Sequence, residues 1–298
     1  MASKKIRIVC ISDTHNAAPG EGFTLPKGDI LIHAGDLSNQ GSLAELQKAI
    51  AWIEKADFPV KIVVAGNHDL SLDGNYALKH ATGWKVQPEH MAECQDLLRK
   101  STSITYLEHE FTTINIHGAK LKVFGSPFSP DRGKQNWAFQ YPVDEAANIW
   151  SGVPEDADIV VTHTPSNIAV DESAHWTEGG CVALAQRIAH VKPMLHVCGH
   201  CHEGRGAVVC RWGAEDHELT AWQDPGLGNK KQSLFDLTDA RGGHRLETGR
   251  ETAIVNAAIM AKSWGRGGKV LNKVIVVDVE LPFHEDVQAD VSEERRPL

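Results

Sequence analysis

Six runs of the chain are mainly apolar and rich in Val and Ile: residues 6–11, 30–34, 60–65, 159–162, 194–198 and 274–279. A strand with one wet face alternates apolar and polar residues, so continuous runs of this length predict strands buried on both faces. Other stretches repeat at the helical period. Leu43, Leu46, Ile50 and Ile53 share one helix face, and Ser42 with Glu45 makes a capping-box signature at its start. Cys181, Leu184 and Ile188 form the stripe of a second helix over about residues 180–191, stopped by Pro193. Residues 111–116 and 120–124 alternate around His117-Gly118, which predicts an antiparallel hairpin. Strands alternating with helices, plus this hairpin, predict an α/β fold with mixed sheets: a two-layer β-sandwich flanked by helices.

The rhythm breaks in residues 212–250, where Gly, Asp, Asn, Arg and His predominate, so a surface insertion or lid of about forty residues is expected there. From Glu285 the chain is charged and patternless, and a frayed tail over 285–298 is expected behind a single domain spanning 1–284. No internal repeat is visible.

Composition narrows the function. The net charge of -9 argues against a stable complex with nucleic acid, which is gripped by clustered Lys and Arg. No apolar stretch is long enough to cross a bilayer, and Met1 to Lys5 lead straight into a strand-like run, so no membrane association and a cytoplasmic location are expected. The six cysteines lie mostly in apolar surroundings and read as buried thiols of a reducing compartment.

Metal-ligand residue types fall where the apolar runs end, the edge at which α/β sheets build sites. The first run leads into Asp13-Thr14-His15, the second into Gly35-Asp36, and the third into Gly66-Asn67-His68-Asp69. The fourth leads into His163-Thr164-Pro165 and the fifth into Gly199-His200-Cys201-His202. In extended backbone, residues two apart point the same way, so Asp13 with His15, and His200 with His202, are expected to act as pincers. Glycines 35, 66 and 199 are expected to permit sharp turns beside the ions. Mixed carboxylate, imidazole and amide donors suit borderline divalent metals better than Ca.

In this order the motifs resemble the calcineurin-like metallophosphoesterase superfamily, and most closely its branch of metallophosphoesterase domain-containing proteins. Phrases such as Cys10-Ile11-Ser12-Asp13-Thr14-His15, Leu31-Ile32-His33-Ala34-Gly35-Asp36 and Gly125-Ser126-Pro127 carry the branch resemblance, which covers most of residues 6–282. The resemblance implies two divalent cations drawn from Mn, Fe, Zn or Mg. Asp13, His15 and His202 would bind the first, Asn67, His163 and His200 the second, and Asp36 would bridge them. Some members of that branch lack the first histidine of Gly-His-x-His and are weak catalysts, whereas His200 is present here.

The expected reaction is phosphoester hydrolysis by a hydroxide that two cations activate, with His68 helping the leaving oxygen and Asp69 orienting His68. Small phosphodiesters, cyclic nucleotides among them, are the expected substrates, because the loop Leu37-Ser38-Asn39-Gln40-Gly41 offers no arginine to clamp a monoester. A phosphatase acting on monoesters and a non-catalytic scaffold that binds a partner are the competing readings.

Several residues admit plainer roles. His33, His80, His90, His109, His117, His175, His190, His217, His244 and His284 carry no motif and read as core or surface residues. His196 shares the strand parity of His200, so a supporting role and a core role both stay open. Cys198 and Cys201, with Cys210 nearby, also fit a redox or zinc pattern. Trp52, Trp84, Trp137 and Trp150 read as core or rim, with Trp137 a candidate for the substrate mouth.

Overall fold

In a computed structural model, which describes residues 3–76, 88–133, 136–177, 179–214, 216–240, 244–261 and 269–282, the six apolar runs are strands. In chain order the elements begin β1 (Ser3–Ile11), β2 (Ile30–Ala34), α1 (Leu43–Lys55), β3 (Val60–Val64), α2 (Pro88–Arg99) and β4 (Thr105–Tyr106). There follow β5 (Glu110–Ile116), β6 (Ala119–Ser126), β7 (Ser129–Asp131), β8 (Gln140–Pro142), α3 (Ala146–Trp150), β9 (Ile159–Thr162) and α4 (Val182–Val191). The last are β10 (Leu195–Cys198), β11 (Gly206–Trp212), β12 (His217–Ala221), β13 (Ser233–Leu237), β14 (Glu251–Asn256) and β15 (Ile275–Pro282).

One sheet runs β13-β15-β1-β2-β3-β4 and the other β12-β11-β14-β10-β9-β6-β5. Both are mixed: β1 pairs parallel to β2 and antiparallel to β15, while β10 pairs parallel to β9 and β14, and β11 antiparallel to β14. Strand parity explains the double burial. Ile6, Ile8 and Cys10 of β1, with Ile30, Ile32, Ile62 and Val64, pack against Ile159, Val161, Leu195, Val197, Ala253 and Val255 of the second sheet. The alternate residues Val9, Ile11, Leu31 and Val63 face outward onto Leu46, Ala49, Ile50 and Ile53 of α1 and Met91, Cys94 and Leu98 of α2. On the far side Phe124 and Val160 meet Trp150 of α3 and Leu184 and Ile188 of α4. Each such aliphatic side chain contributes about 1.5–3 kcal/mol by leaving water. The layers are helix, sheet, sheet, helix, as the sequence predicts.

Local signals hold as well. Ser42 and Glu45 form a full capping box on α1, and α4 ends at Lys192, in a left-handed conformation (φ 52°), just before Pro193. The β5–β6 hairpin closes on His117 and Gly118, both at positive φ (50° and 85°), the pairing that a two-residue turn of matching twist requires.

The expected forty-residue loop is corrected. Residues 212–250 hold β12 at the edge of one sheet and β13 at the edge of the other. β12 is exposed along its whole length, so it has no apolar pattern to read; its backbone pairing with β11 makes it a strand. In β13 the buried Ser233, Phe235 and Leu237 alternate with half-buried Leu234 and Asp236, a period too short to stand out. Among the described residues, no helix is long and apolar enough to cross a membrane. The expected tail, Trp84, His80 and His284 lie outside the described residues.

Candidate metal centre

Strands β1, β2, β3, β9 and β10 end at one edge of the sandwich, and the loops leaving that edge are bonded to one another through the backbone. The Asp13 N–H donates to the Gly35 carbonyl at 3.0 Å, His15 to Asp36 at 3.0 Å, and Gly199 to His163 at 3.0 Å. These loops leave the extended conformation at once. Asp13 (φ 54°), His15 (φ 42°), Asn16 (φ 67°), Asp36 (φ 55°) and His200 (φ 66°) all sit at positive φ. The expected pincers therefore do not arise from strand alternation. Left-handed backbone, costly for a non-glycine residue and held by the surrounding bonds, aims these side chains.

The glycines also differ from expectation. Only Gly35 has a positive φ (101°). At Gly66 and Gly199 the requirement is space: a Cβ would meet Asp36 Oδ1 at 2.3 Å in the first case and Ser12 Oγ at 2.0 Å in the second. The carboxylates occupy the volume that a side chain would take.

Three overlapping groups of side chains bring one ligand atom each to within 4.8 Å of the others: Asp13, His15 and His202; His15, Asp36 and His68; Asp13, Asp36 and His163. Asp36 lies 3.7 Å from His15 Nε2 through Oδ2 and 3.4 Å from His163 Nε2 through Oδ1. His202 Nε2 is 3.2 Å from Asp13 Oδ1 and 3.3 Å from His15 Nε2. Asn67 Oδ1 is 2.9 Å from His163 Nε2.

The donor set fits a cation. His15 Nδ1 donates to the Ser38 carbonyl at 3.3 Å and His163 Nδ1 to the Ala34 carbonyl at 2.9 Å, which assigns the remaining lone pairs to the Nε2 atoms that face inward. At His163 that lone pair meets Asn67 Oδ1 and Asp36 Oδ1, so acceptors converge with no donor among them. A proton or a divalent ion reconciles them. Burial works against charge on His163, but the Asp36 carboxylate outweighs it and lifts the imidazole to about 9. Burial would likewise raise Asp13, yet the hydrogen bond and charge of His202 hold it at about 2. Burial pushes His15 down to about 3, so this ring stays neutral and able to ligate.

His200 stands apart. Its ring belongs to none of the three groups, lies 4.9 Å from the His163 ring and is partly exposed, while its backbone N–H donates to both Asp13 oxygens at 3.2 and 3.0 Å. His68 stands closer than expected: it shares a group with His15 and Asp36, and its backbone N–H donates to Asp36 Oδ1 at 2.8 Å.

Asp69 does not orient His68. Its carboxylate accepts from the Leu37, Ser38 and Gly66 N–H groups and from Ser38 Oγ, lacing the second strand-end loop to the third. Burial first, then the Asp36 charge, raises Asp69 to about 6. The His68 ring is fixed instead by the Asn39 carbonyl, 2.7 Å from Nδ1, a backbone group that sequence cannot place. His196 is buried, and its Nε2 is 2.9 Å from Thr162 Oγ1, beside His163. His33, read as a core residue, stands likewise 3.0 Å from Thr14 Oγ1, between Asp13 and His15. Asn256 donates to the Val170 and Cys201 carbonyls, both at 2.8 Å. No cysteine joins a metal-capable group among the described residues, and Cys198 and Cys201 are buried free thiols.

A cleft of about 390 Å³ opens over the cluster, within the size range of small-molecule sites, and Trp137 and Trp176 stand in its walls. Trp137 packs on His68, with ring centroids 4.1 Å apart, which meets its expected place at the mouth. Trp176 was not singled out from sequence; an indole in the polar stretch after β9 was the available signal.

The chain belongs to the calcineurin-like phosphoesterase family, whose sequence model matches residues 6–204. The human metallophosphoesterase domain-containing protein 1 is 34% identical over 214 residues, which cover 68% of this chain and 62% of that protein. A protein of Emericella nidulans described as probable rhamnogalacturonate lyase C is 40% identical over 215 residues, 70% of this chain but 18% of its own length. The chain thus matches less than two thirds of either relative. The crystal structure of TT1561 of Thermus thermophilus aligns with a TM-score of 0.44 at 17% identity, covering 68% of this chain and 84% of that one.

Proposed function

We propose that this protein is a metal-dependent phosphoester hydrolase that holds two divalent cations, of Mn, Fe, Zn or Mg, and prefers small phosphodiesters, nucleotide diesters among them. The observation that carries the reading is the gathering of ligand atoms from Asp13, His15, Asp36, His163 and His202 at one strand edge, in overlapping groups whose atoms lie within 4.8 Å of one another. Asp13, His15 and His202 would hold one ion and Asn67, His163 and His200 the other, with Asp36 between them. When bound, such ions lower the pKa of water and neutralise phosphate oxygens.

The chain's own residues supply the rest. Asp69 and Ser38 fix the loop that carries Asp36. His68, held through Nδ1 by Asn39, presents its other nitrogen toward the cleft and gives a proton to the departing oxygen. Trp137 covers the His68 ring and keeps water from that side. No arginine follows Asp36 in Leu37-Ser38-Asn39-Gln40-Gly41, which favours the singly charged diester over a monoester dianion.

We read residues 1–284 as one domain, since a single buried cluster takes in strands from Ile6 to Leu281. A cytoplasmic location accords with six free, buried cysteines. The net charge of -9 disfavours a stable nucleic-acid complex.

Elemental analysis combined with turnover on cyclic nucleotides, mononucleotides and generic diesters tests the reading. Two equivalents of metal and faster diester hydrolysis are expected. A chain that binds no metal, or turns over nothing when loaded, is a partner-binding scaffold instead.

A further inference from the structure

The imidazoles of the centre are not anchored alike. His15, His68 and His163 each place Nδ1 on a backbone carbonyl, those of Ser38, Asn39 and Ala34 at 3.3, 2.7 and 2.9 Å. Such a bond fixes the tautomer and rotation of a metal-binding histidine. No described residue hydrogen-bonds to the His200 ring, although this ring is partly exposed and springs from a strained residue at φ 66°. What touches it is aromatic. The Trp176 indole stacks on His200, with centroids 5.1 Å apart and planes 21° from parallel, and His163 meets the ring edge-to-face at 4.9 Å.

A guanidinium also lies over the indole. The Arg132 guanidinium lies 5.6 Å from its centroid and donates to the Gly180 carbonyl at 2.9 Å and the Gly179 carbonyl at 3.4 Å. The Gly180 N–H donates to Asp171 at 3.0 Å, and Val170 is tied to Asn256 at 2.8 Å. A continuous column therefore runs from the anchored loop through Arg132 and Trp176 to His200.

Resting on the two-cation reading above, we propose that Trp176, clamped by Arg132, is a positioning residue that replaces the missing carbonyl anchor and holds His200 toward the second metal. Stacking restricts the ring without using either nitrogen, so both stay available to a ligand. The other rings have other neighbours: His15 contacts His68 and His202, and His68 packs on Trp137.

The full chain, stripped of metal and titrated with Mn²⁺ alone, provides the test, read by calorimetry and elemental analysis. Loss of a supporting partner costs metal affinity about ten- to a hundredfold, so Trp176→Ala is expected to weaken one of two sites by that factor and leave the other unchanged. Trp176→Phe, which keeps a stacking ring, should bind within about twofold of wild type, and Trp176→Leu should resemble the Ala variant. Arg132→Ala should weaken the same site. Equal loss at both sites, no loss at either, or full binding by the Leu variant would overturn the inference. Wild-type protein that takes up fewer than two ions would overturn the two-cation reading, and this inference with it.

Discussion

His68 Nδ1 lies 2.7 Å from the carbonyl oxygen of Asn39. A carbonyl can only accept, so the proton on Nδ1 is fixed and Nε2 is the nitrogen left to exchange a proton with substrate. A positioned acid contributes about a hundred- to ten-thousandfold, and only where charge builds on the leaving oxygen. His68→Ala is expected to cripple hydrolysis of a nucleotide diester, spare a nitrophenyl diester and leave metal content intact. Comparing kcat/KM for the two substrates checks it; equal losses would mean that His68 positions metal or substrate.

Asp36 is the carboxylate that faces both His15 and His163. Asp36→Ala should lose activity and occupancy of both metals together, whereas His15→Ala should mainly empty the first. Metal counts per chain decide this, and full loading of the Asp36→Ala protein would sink the bridging assignment.

Gly66 is required for space rather than for backbone freedom. A Cβ there would stand 2.3 Å from Asp36 Oδ1, 2.4 Å from Asp36 N and 2.7 Å from His163 Cε1. Gly66→Ala should therefore displace Asp36 and lower metal content while the far-UV circular dichroism stays that of the wild type. Unchanged metal affinity in a folded Ala variant would show that the loop yields without cost.

At the other end of β1, Asp278 is buried and accepts from Arg7 at 2.7 and 2.8 Å and from Lys5 at 3.3 Å. Burial opposes its charge, but Arg7 and Lys5 outweigh it and hold the carboxyl below its ordinary value. A carboxyl lowered in the folded state contributes stability that is present above its unfolded pKa, about 3.9, and is lost as pH falls through the folded value. Asp278→Asn should cost about 2 kcal/mol at neutral pH and flatten the acid limb of stability. Urea unfolding from pH 7 to pH 3 measures both; parallel curves for the two proteins would refute the ion pair's role.

The layering was legible because burial on both faces leaves a mainly apolar run without alternation, as in residues 30–34 and 159–162, and because helix α1 carries its own cap in Ser42 and Glu45. The identities of the candidate ligands were legible for a related reason: chemistry-bearing residues follow directly where those runs stop. Strand β12 was not legible, since backbone hydrogen bonds to a neighbour leave no mark on residue type.

Tertiary structure alone decided how the side chains are aimed and supported. Asp13, His15 and Asp36 converge through left-handed backbone that no period predicts. Asp69 turned from its neighbour His68 toward the N–H groups of Leu37, Ser38 and Gly66, and Trp176 reached His200 from a separate loop. Residue type records what a side chain can do, whereas orientation depends on distant backbone atoms, whose carbonyls and N–H groups are chemically alike at every position.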